Sequence, residues 1–232
     1  MTNSFAAGWR QVGACFMLLA ATGMIAATYS IIAVPLAEEY SPSRMVLMLA
    51  MTVLAGTCAV LSPLLGNLMD RFSLKMLMCI GSLCLGLGYI ALSLTTSFNQ
   101  VLIIFSILIA PANVLIGPLA ATVLLSRWFV GRRGRAIGIA IAGISAGGFF
   151  FPMIIQGLLD AHQWREALQL LGLILIAWTI PAALMIIDQP SARGFYPDGS
   201  GTPPLSTKVS QSDQAISGLK VLSDPTFWMI AA

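Results

Sequence analysis

Charged side chains are missing from five long stretches of the chain: Gln11–Ala37, Met45–Met69, Met76–Ser126, Ala136–Leu159 and Ala167–Ile187.

The five neutral stretches thus run over 11–37, 45–69, 76–126, 136–159 and 167–187. A helix crossing roughly 30 Å of hydrocarbon at 1.5 Å per residue needs about 20 apolar residues. The third stretch is about twice that length, and the polar run Thr95-Thr96-Ser97-Phe98-Asn99-Gln100 divides it. The pattern therefore predicts six helices, over about 11–36, 45–68, 76–95, 101–126, 136–158 and 167–187. The segments are continuously apolar rather than alternating, which argues against strands.

Composition turns these helices into membrane spans. The 232 residues are 58% hydrophobic and 9% charged, with a mean hydropathy of +0.89. A soluble domain carries about 25% charged residues, so a water-facing surface is excluded, and disorder is excluded by the same scarcity of charge. The apolar part of a secretory signal is about 7–15 residues long; Gln11–Ala37 is longer and leads into further spans, so it reads as a retained first helix.

Lysine and arginine placement sets the expected orientation. With the N-terminus inside, Arg10, Arg71, Lys75, Arg127, Arg132, Arg133, Arg135, Arg193, Lys208 and Lys220 are cytoplasmic, and only Arg44 and Arg165 lie outside. The net charge of +3 is then a product of topology and gives no reason to expect a nucleic-acid partner. Cys15, Cys58, Cys79 and Cys84 all fall in predicted spans, with no CxxC pair and no cysteine–histidine cluster. They read as small apolar filler, and neither a metal nor a cofactor is expected.

Three regions follow: a six-helix unit over 1–187, a cytoplasmic linker over 188–224, and the start of a seventh helix over 225–232. The linker is rich in Pro, Gly and Ser and holds seven charges. Within it, Ala215–Leu222 has the makings of a short amphipathic surface helix. Asp224-Pro225 is a helix-start signal, with Trp228 placed for an interfacial belt. The seventh span would run about a turn and a half, so the sequence reads as cut off. Six spans, a long loop and a seventh span suggest half of a twelve-helix transporter, whose halves each nest two inverted three-helix repeats. A missing six-helix half is the partner this implies, together with the lipid bilayer itself.

Between the second and third helices the chain reads Gly66-Asn67-Leu68-Met69-Asp70-Arg71-Phe72-Ser73-Leu74-Lys75. It resembles the signature of the major facilitator superfamily, with Ser73 where a second glycine is usual and Lys75 alone of the trailing basic pair. The resemblance implies an all-α integral membrane fold, with this chain as the six-helix N-terminal bundle. It also implies a cytoplasmic gate, in which Gly66 permits close helix approach and Asp70 and Arg71 form an ion pair that holds the gate shut in one state and breaks in the other. A second run, Arg127-Trp128-Phe129-Val130-Gly131-Arg132-Arg133-Gly134-Arg135, continues into Ala142-Gly143-Ile144-Ser145-Ala146-Gly147-Gly148. It is similar to the helix 4–5 region of monocarboxylate porters, including their bacterial oxalate:formate antiporter branch. Gly8-Trp9, Pro35-Leu36-Ala37-Glu38-Glu39-Tyr40 and Arg193-Gly194-Phe195-Tyr196-Pro197-Asp198-Gly199 add to the likeness. Ser41-Pro42 departs from it, since bacterial members often have a glycine and an aromatic there. The plasma membrane, as the bacterial inner membrane, is the location this branch implies.

Small residues recur every four positions at Gly134, Gly138, Ala142 and Ala146, and again at Gly143 and Gly147. In lipid that spacing lets helix backbones pack closely. The arginines, among them Arg127, Arg132 and Arg133, are expected either to pair with Asp70 across the gate or to face anionic lipid.

Substrate contacts are sought among polar groups at membrane depth, where they are costly unless partnered. Asn113 stands midway along the fourth helix between Pro111 and Gly117-Pro118, and proline can open a helix that lines a cavity. Tyr29 and Thr28 on the first helix and Ser145 on the fifth are the other candidates; Thr22, Ser30 and Gln156 are weaker ones. The competing reading is ordinary hydrogen bonding between helices. No charged residue lies deep in any span. A small organic anion, a mono- or dicarboxylate, would then draw its countercharge from the other half, where the family often has an arginine on the eighth helix. His162, beside Gln163-Trp164-Arg165, reads as a solvated residue of an external loop.

The expected function is secondary transport of such an anion by alternating access. A facilitator exporting a neutral or amphiphilic compound is an alternative, and so is a non-transporting remnant or a half-unit that needs a partner chain. Nothing resembles a nucleophile–base pair, a metal site or a phosphate loop, so an enzyme is not expected.

Overall fold

The computed structural model describes residues 2–190, with side chains from residue 6 onward. The remainder of the linker, its Arg193–Gly199 motif, the amphipathic stretch 215–222 and the seventh-helix start at 225–232 lie outside the described residues. Among those described there is no strand, and six helical spans are long and apolar enough to cross a membrane. They are α1 (Thr2–Tyr40), α2 (Arg44–Arg71) and α3 (Leu74–Ser93), then a composite fourth span, then α7 (Arg133–Ala161) and α8 (Trp164–Leu184). The fourth span comprises α4 (Phe98–Ile104), one π-helical turn (Phe105–Ile109), α5 (Ala110–Ile116) and α6 (Pro118–Trp128).

Several helices outrun the neutral stretches that predict them, because polar caps rather than the hydrocarbon boundary stop them. Ser43 and Ser73 accept bonds from the Val46 and Met76 N–H groups at the starts of α2 and α3. Between α1 and α2 the chain turns at Ser41, which has φ 45° and whose N–H bonds to the Ala37 carbonyl. That left-handed geometry suits glycine, the residue whose absence marks Ser41 as a departure from the resembling family.

The spans pair in a definite order. The first packs on the fifth, the third on the sixth, and the fourth on the second and third. Exchanging spans one to three with four to six maps these contacts onto one another, as an inverted repeat requires. Sequence comparison of the two halves shows no such match, so here the repeat is legible in packing alone.

Glycines make two of these contacts possible. A Cβ on Gly143 or Gly147 of α7 would collide with the Phe16 or Ala20 carbonyl of α1, and one on Gly23 would collide with Ile144. Gly86 and Gly172 allow the same approach between α3 and α8. Of the two small-residue series on α7, then, the 143/147 pair is the packing face. Gly134 and Gly138 have open space around them among the described residues, which corrects the expectation that both series pack. The core gathers Leu18, Leu19, Met24, Met78, Leu85 and Tyr89, all fully buried. Spans two and five are the least buried, and they present Met48, Val60, Leu64, Phe149, Phe150 and Met153 outward.

Candidate functional site

The fourth span is the one helix of the bundle whose backbone is interrupted at membrane depth, and the residues explain how. Pro111 has no N–H to offer the carbonyl four residues back, and its ring crowds that carbonyl. The turn before it widens accordingly: the Ala110 N–H bonds to the Phe105 carbonyl, five residues back. Six residues after Pro111, Gly117 adopts an extended conformation (φ −84°, ψ −165°) and Pro118 restarts the helix as α6. A Cβ on Gly117 would strike the Asn113 carbonyl, so this break requires glycine. α5 is thus a seven-residue segment between two discontinuities, with Asn113 at its middle.

Against it lies a half-buried polar seam shared with α2. The Thr57 and Ser106 hydroxyls are 3.2 Å apart. The Cys58 thiol donates to the Ala110 carbonyl at 3.6 Å, and the Asn113 amide donates to the Cys58 sulfur at 3.5 Å. Sulfur is a weak acceptor, and this is the one side-chain hydrogen bond that Asn113 makes among the described residues. The amide therefore keeps most of its hydrogen-bonding capacity, which is costly at this depth unless another group takes it up. Thr57 and Ser106 were not singled out in the sequence, and the reading of Cys58 as apolar filler is corrected by its two hydrogen bonds; the signal was a polar pair on α2 at the level of the fourth-span proline.

The other substrate candidates lie elsewhere. Tyr29 is 4% exposed; its hydroxyl donates to the Leu47 carbonyl at 2.5 Å, and its ring meets Phe105 edge-on at 5.4 Å. With Ile32, Leu36, Tyr89, Leu92 and Leu168 it lines a small apolar void inside the bundle. Thr28 is fully buried, with a hydroxyl that has no protein partner. Ser145 is exposed on α7. Phe105, which Tyr29 touches, and Asn113 are eight residues apart, about 12 Å of helix, so the structure does not bring Tyr29, Asn113 and Ser145 to one point.

At the arginine-rich end the expected gate residues are mostly exposed. Asp70, Arg71, Arg132 and Arg133 are exposed, and Arg127 and Lys75 are partly so. Two ion pairs occur among the described residues, and neither includes Asp70. Arg127 reaches the loop through the Met69 carbonyl at 3.4 Å, so among the described residues neither the expected Asp70–Arg71 pair nor a bond from the other arginines to the Asp70 carboxylate is made. Gly66 likewise has open space around it among the described residues. What does assemble here is neutral. Gly8 leaves room for the Phe129 ring, Trp9 meets that ring edge-on at 5.8 Å, and the Trp128 indole donates to the Ile187 carbonyl at 2.9 Å. Two sequence motifs far apart in the chain, Gly8-Trp9 and Trp128-Phe129, are thus one packing unit. Gln11, 1% exposed, spends both amide atoms on the end of α8, donating to the Met185 carbonyl and accepting from the Ile187 N–H.

The opposite end carries a clamp. Arg165 pairs with Glu39 at 2.5 Å and donates to the Ser93 and Thr95 carbonyls at 2.8 and 2.7 Å. The Tyr40 hydroxyl donates to the Thr95 carbonyl at 2.7 Å, and the Trp164 indole donates to Glu39 at 2.8 Å. His162 lies 3.5 Å from Glu166, both at the surface.

An inverted-repeat six-helix bundle with an opened fourth span and a basic loop signature is the architecture of a membrane-transporter bundle. The Major Facilitator Superfamily model matches residues 14–232, and the chain belongs to that family. It is similar to "MFS-type transporter pynF" of Aspergillus niger, 31% identical over 134 residues, covering 57% of this chain and 30% of that protein. It is also similar to "Monocarboxylate transporter 4" of Rattus norvegicus, 26% identical over 202 residues, covering 84% of this chain and 42% of the relative. A third relative is "Fujikurins efflux protein" of Gibberella fujikuroi, 28% identical over 127 residues, covering 54% and 27%. The chain spans less than half the length of each of these relatives. It is an integral membrane protein of a transporter family.

Proposed function

We propose that this chain supplies the N-terminal half of a secondary transporter that moves a small mono- or dicarboxylate by alternating access. The observation that carries the reading is Asn113: an amide at mid-span, on a segment freed by two backbone breaks, with unspent hydrogen-bonding capacity. In this reading its Nδ2 and the Thr57 and Ser106 hydroxyls donate to the carboxylate oxygens, and Ser145, exposed on α7, makes a separate contact along the substrate's path. Tyr29 and Thr28 act from behind, Tyr29 by buttressing Phe105 at the π-helical turn. The spans supply no cation, so the countercharge comes from the second six-helix half. The likeness to a protein named as a monocarboxylate transporter supports this substrate class.

Asp70, Arg71, Lys75, Arg127, Arg132 and Arg133 form the cytoplasmic gate in this proposal, with Gly66 allowing the approach of the second half. Asp70 carries no ion pair among the described residues, which leaves it able to make one across the halves in one state and break it in the other. The N-terminus is cytoplasmic, by the ten-to-two division of basic residues.

The test is uptake of labelled small carboxylates by cells expressing the native protein with Asn113→Ala or Asn113→Asp. Losing a hydrogen bond to a charged group predicts about a tenfold slower uptake for Asn113→Ala. Asn113→Asp is expected to fall further, because it faces an anion with an anion. Unchanged uptake in both, at equal membrane abundance, overturns the assignment. A second reading, export of a neutral amphiphile, draws on the uncharged seam and on the relative named as an efflux protein. Small carboxylates competing for transport favour the first reading, and indifference to them favours the second.

A further inference from the structure

A cavity of about 130 Å³ opens at the arginine-rich end, between the start of α1, the start of α3 and the end of α8. Ala7, Arg10, Gln11, Lys75 and residues 184–187 line it. Most of its polar atoms are already committed. Gln11 uses its amide on Met185 and Ile187. The Met185 and Ile187 carbonyls take the Gln11 and Trp128 donors. Those of Pro181 and Ala183 take the Met185 and Ile186 N–H groups. Asp188, next after the lining residue Ile187, accepts from the Lys75 backbone N–H at 2.7 Å and so caps α3. What remains is cationic: the Arg10 and Lys75 side chains, neither of which makes an ion pair among the described residues. Their height is also defined. Arg10 immediately precedes the neutral stretch that begins at Gln11, Lys75 immediately precedes the one that begins at Met76, and Ile187 ends another. All three mark the level where hydrocarbon gives way to headgroups.

We propose that Arg10 and Lys75 form a binding site for a phosphate oxyanion at the membrane surface. A guanidinium and an ammonium held on separate helices converge on one polar cavity, while the Gln11 bonds fix the end of α8 as its wall. The chemistry suits the phosphate of an anionic lipid headgroup and equally a free phosphate. The site is independent of the substrate seam, and its readout does not require transport.

The experiment incorporates the chain into vesicles of phosphatidylcholine with or without phosphatidylglycerol, then extracts it and counts retained lipid by native mass spectrometry. Preferential retention of phosphatidylglycerol is expected. Arg10→Gln and Lys75→Gln should each lower it about fivefold, and the double variant roughly 25-fold, as expected for one cation near an anionic surface and then two. Arg10→Lys should restore part of it, and Arg44→Gln, at the opposite end, should leave it unchanged. Inorganic phosphate is the second arm. If it raises the thermal midpoint of the wild-type chain, but not of the double variant, while phosphatidylglycerol is not retained, the oxyanion is a soluble one. Equal retention by wild type and double variant with no phosphate effect overturns the site. Should a substituted chain fail to fold, the wild type decides alone: no preference for phosphatidylglycerol and no response to phosphate overturn it.

Discussion

The two ends of the bundle solve the same problem with opposite chemistry. At the clamp end, two spans and a loop are joined through charge: Arg165 serves Glu39 and two loop carbonyls at once. At the other end most joints are neutral, made by Gln11, Trp128 and the Trp9–Phe129 contact, and the two charged side chains that join elements there, Asp188 and Arg127, bond to backbone rather than to an opposite charge. Ionic groups at the clamp are committed to one arrangement. Asp70, Arg71 and Arg133 are exposed and leave their charge available. An end that stays assembled can use its charges as fasteners, whereas an end that opens needs fasteners independent of the charges it exchanges.

The largest way to break this contrast is Arg165→Met. It leaves two carbonyls without their charged donor, which is expected to cost about 3 kcal/mol, while the partly exposed Glu39 pair itself adds little. The thermal midpoint in detergent reads this loss, and Arg165→Lys should recover only part of it, because one ammonium cannot reproduce the fork. Next comes Gln11→Leu, which removes two buried hydrogen bonds at the neutral end and is expected to cost about 2 kcal/mol. Added salt should weaken the clamp and leave the Gln11 contribution unchanged; equal salt response at both ends would erase the distinction. Ser41→Gly should raise stability by about 1 kcal/mol, by relieving the positive φ at the turn beside the clamp. The smallest effect is that of Asp70→Asn, within about 0.5 kcal/mol in this chain. Slower transport with unchanged stability would place the Asp70 role in the gate, and unchanged transport would remove it from there.

The spans were legible in the sequence because charge is excluded from hydrocarbon, which is a property of each segment by itself. Asn113 was legible for a related reason, since an amide between prolines at mid-span is conspicuous locally. The clamp was not, because Arg165 and Glu39 are 126 residues apart; the available signal was that each sits on the side poor in basic residues. Choosing between the Gly143/Gly147 series and the Gly134/Gly138 series required knowing which face of α7 meets α1, and spacing alone is the same for both. The Gly8-Trp9 and Trp128-Phe129 motifs were visible separately, and only the fold shows that they are one contact.

The π-helical turn at Phe105–Ile109 carries a further consequence for how the fourth span is interrogated. One extra residue in a turn rotates everything beyond it by about 100° relative to a regular helix. A scan of single substitutions along 98–128 should therefore not trace one wave of sensitivity. The wave would run in step to Ile104, slip by about a quarter turn across Phe105–Ile109, and lose its phase again at Gly117.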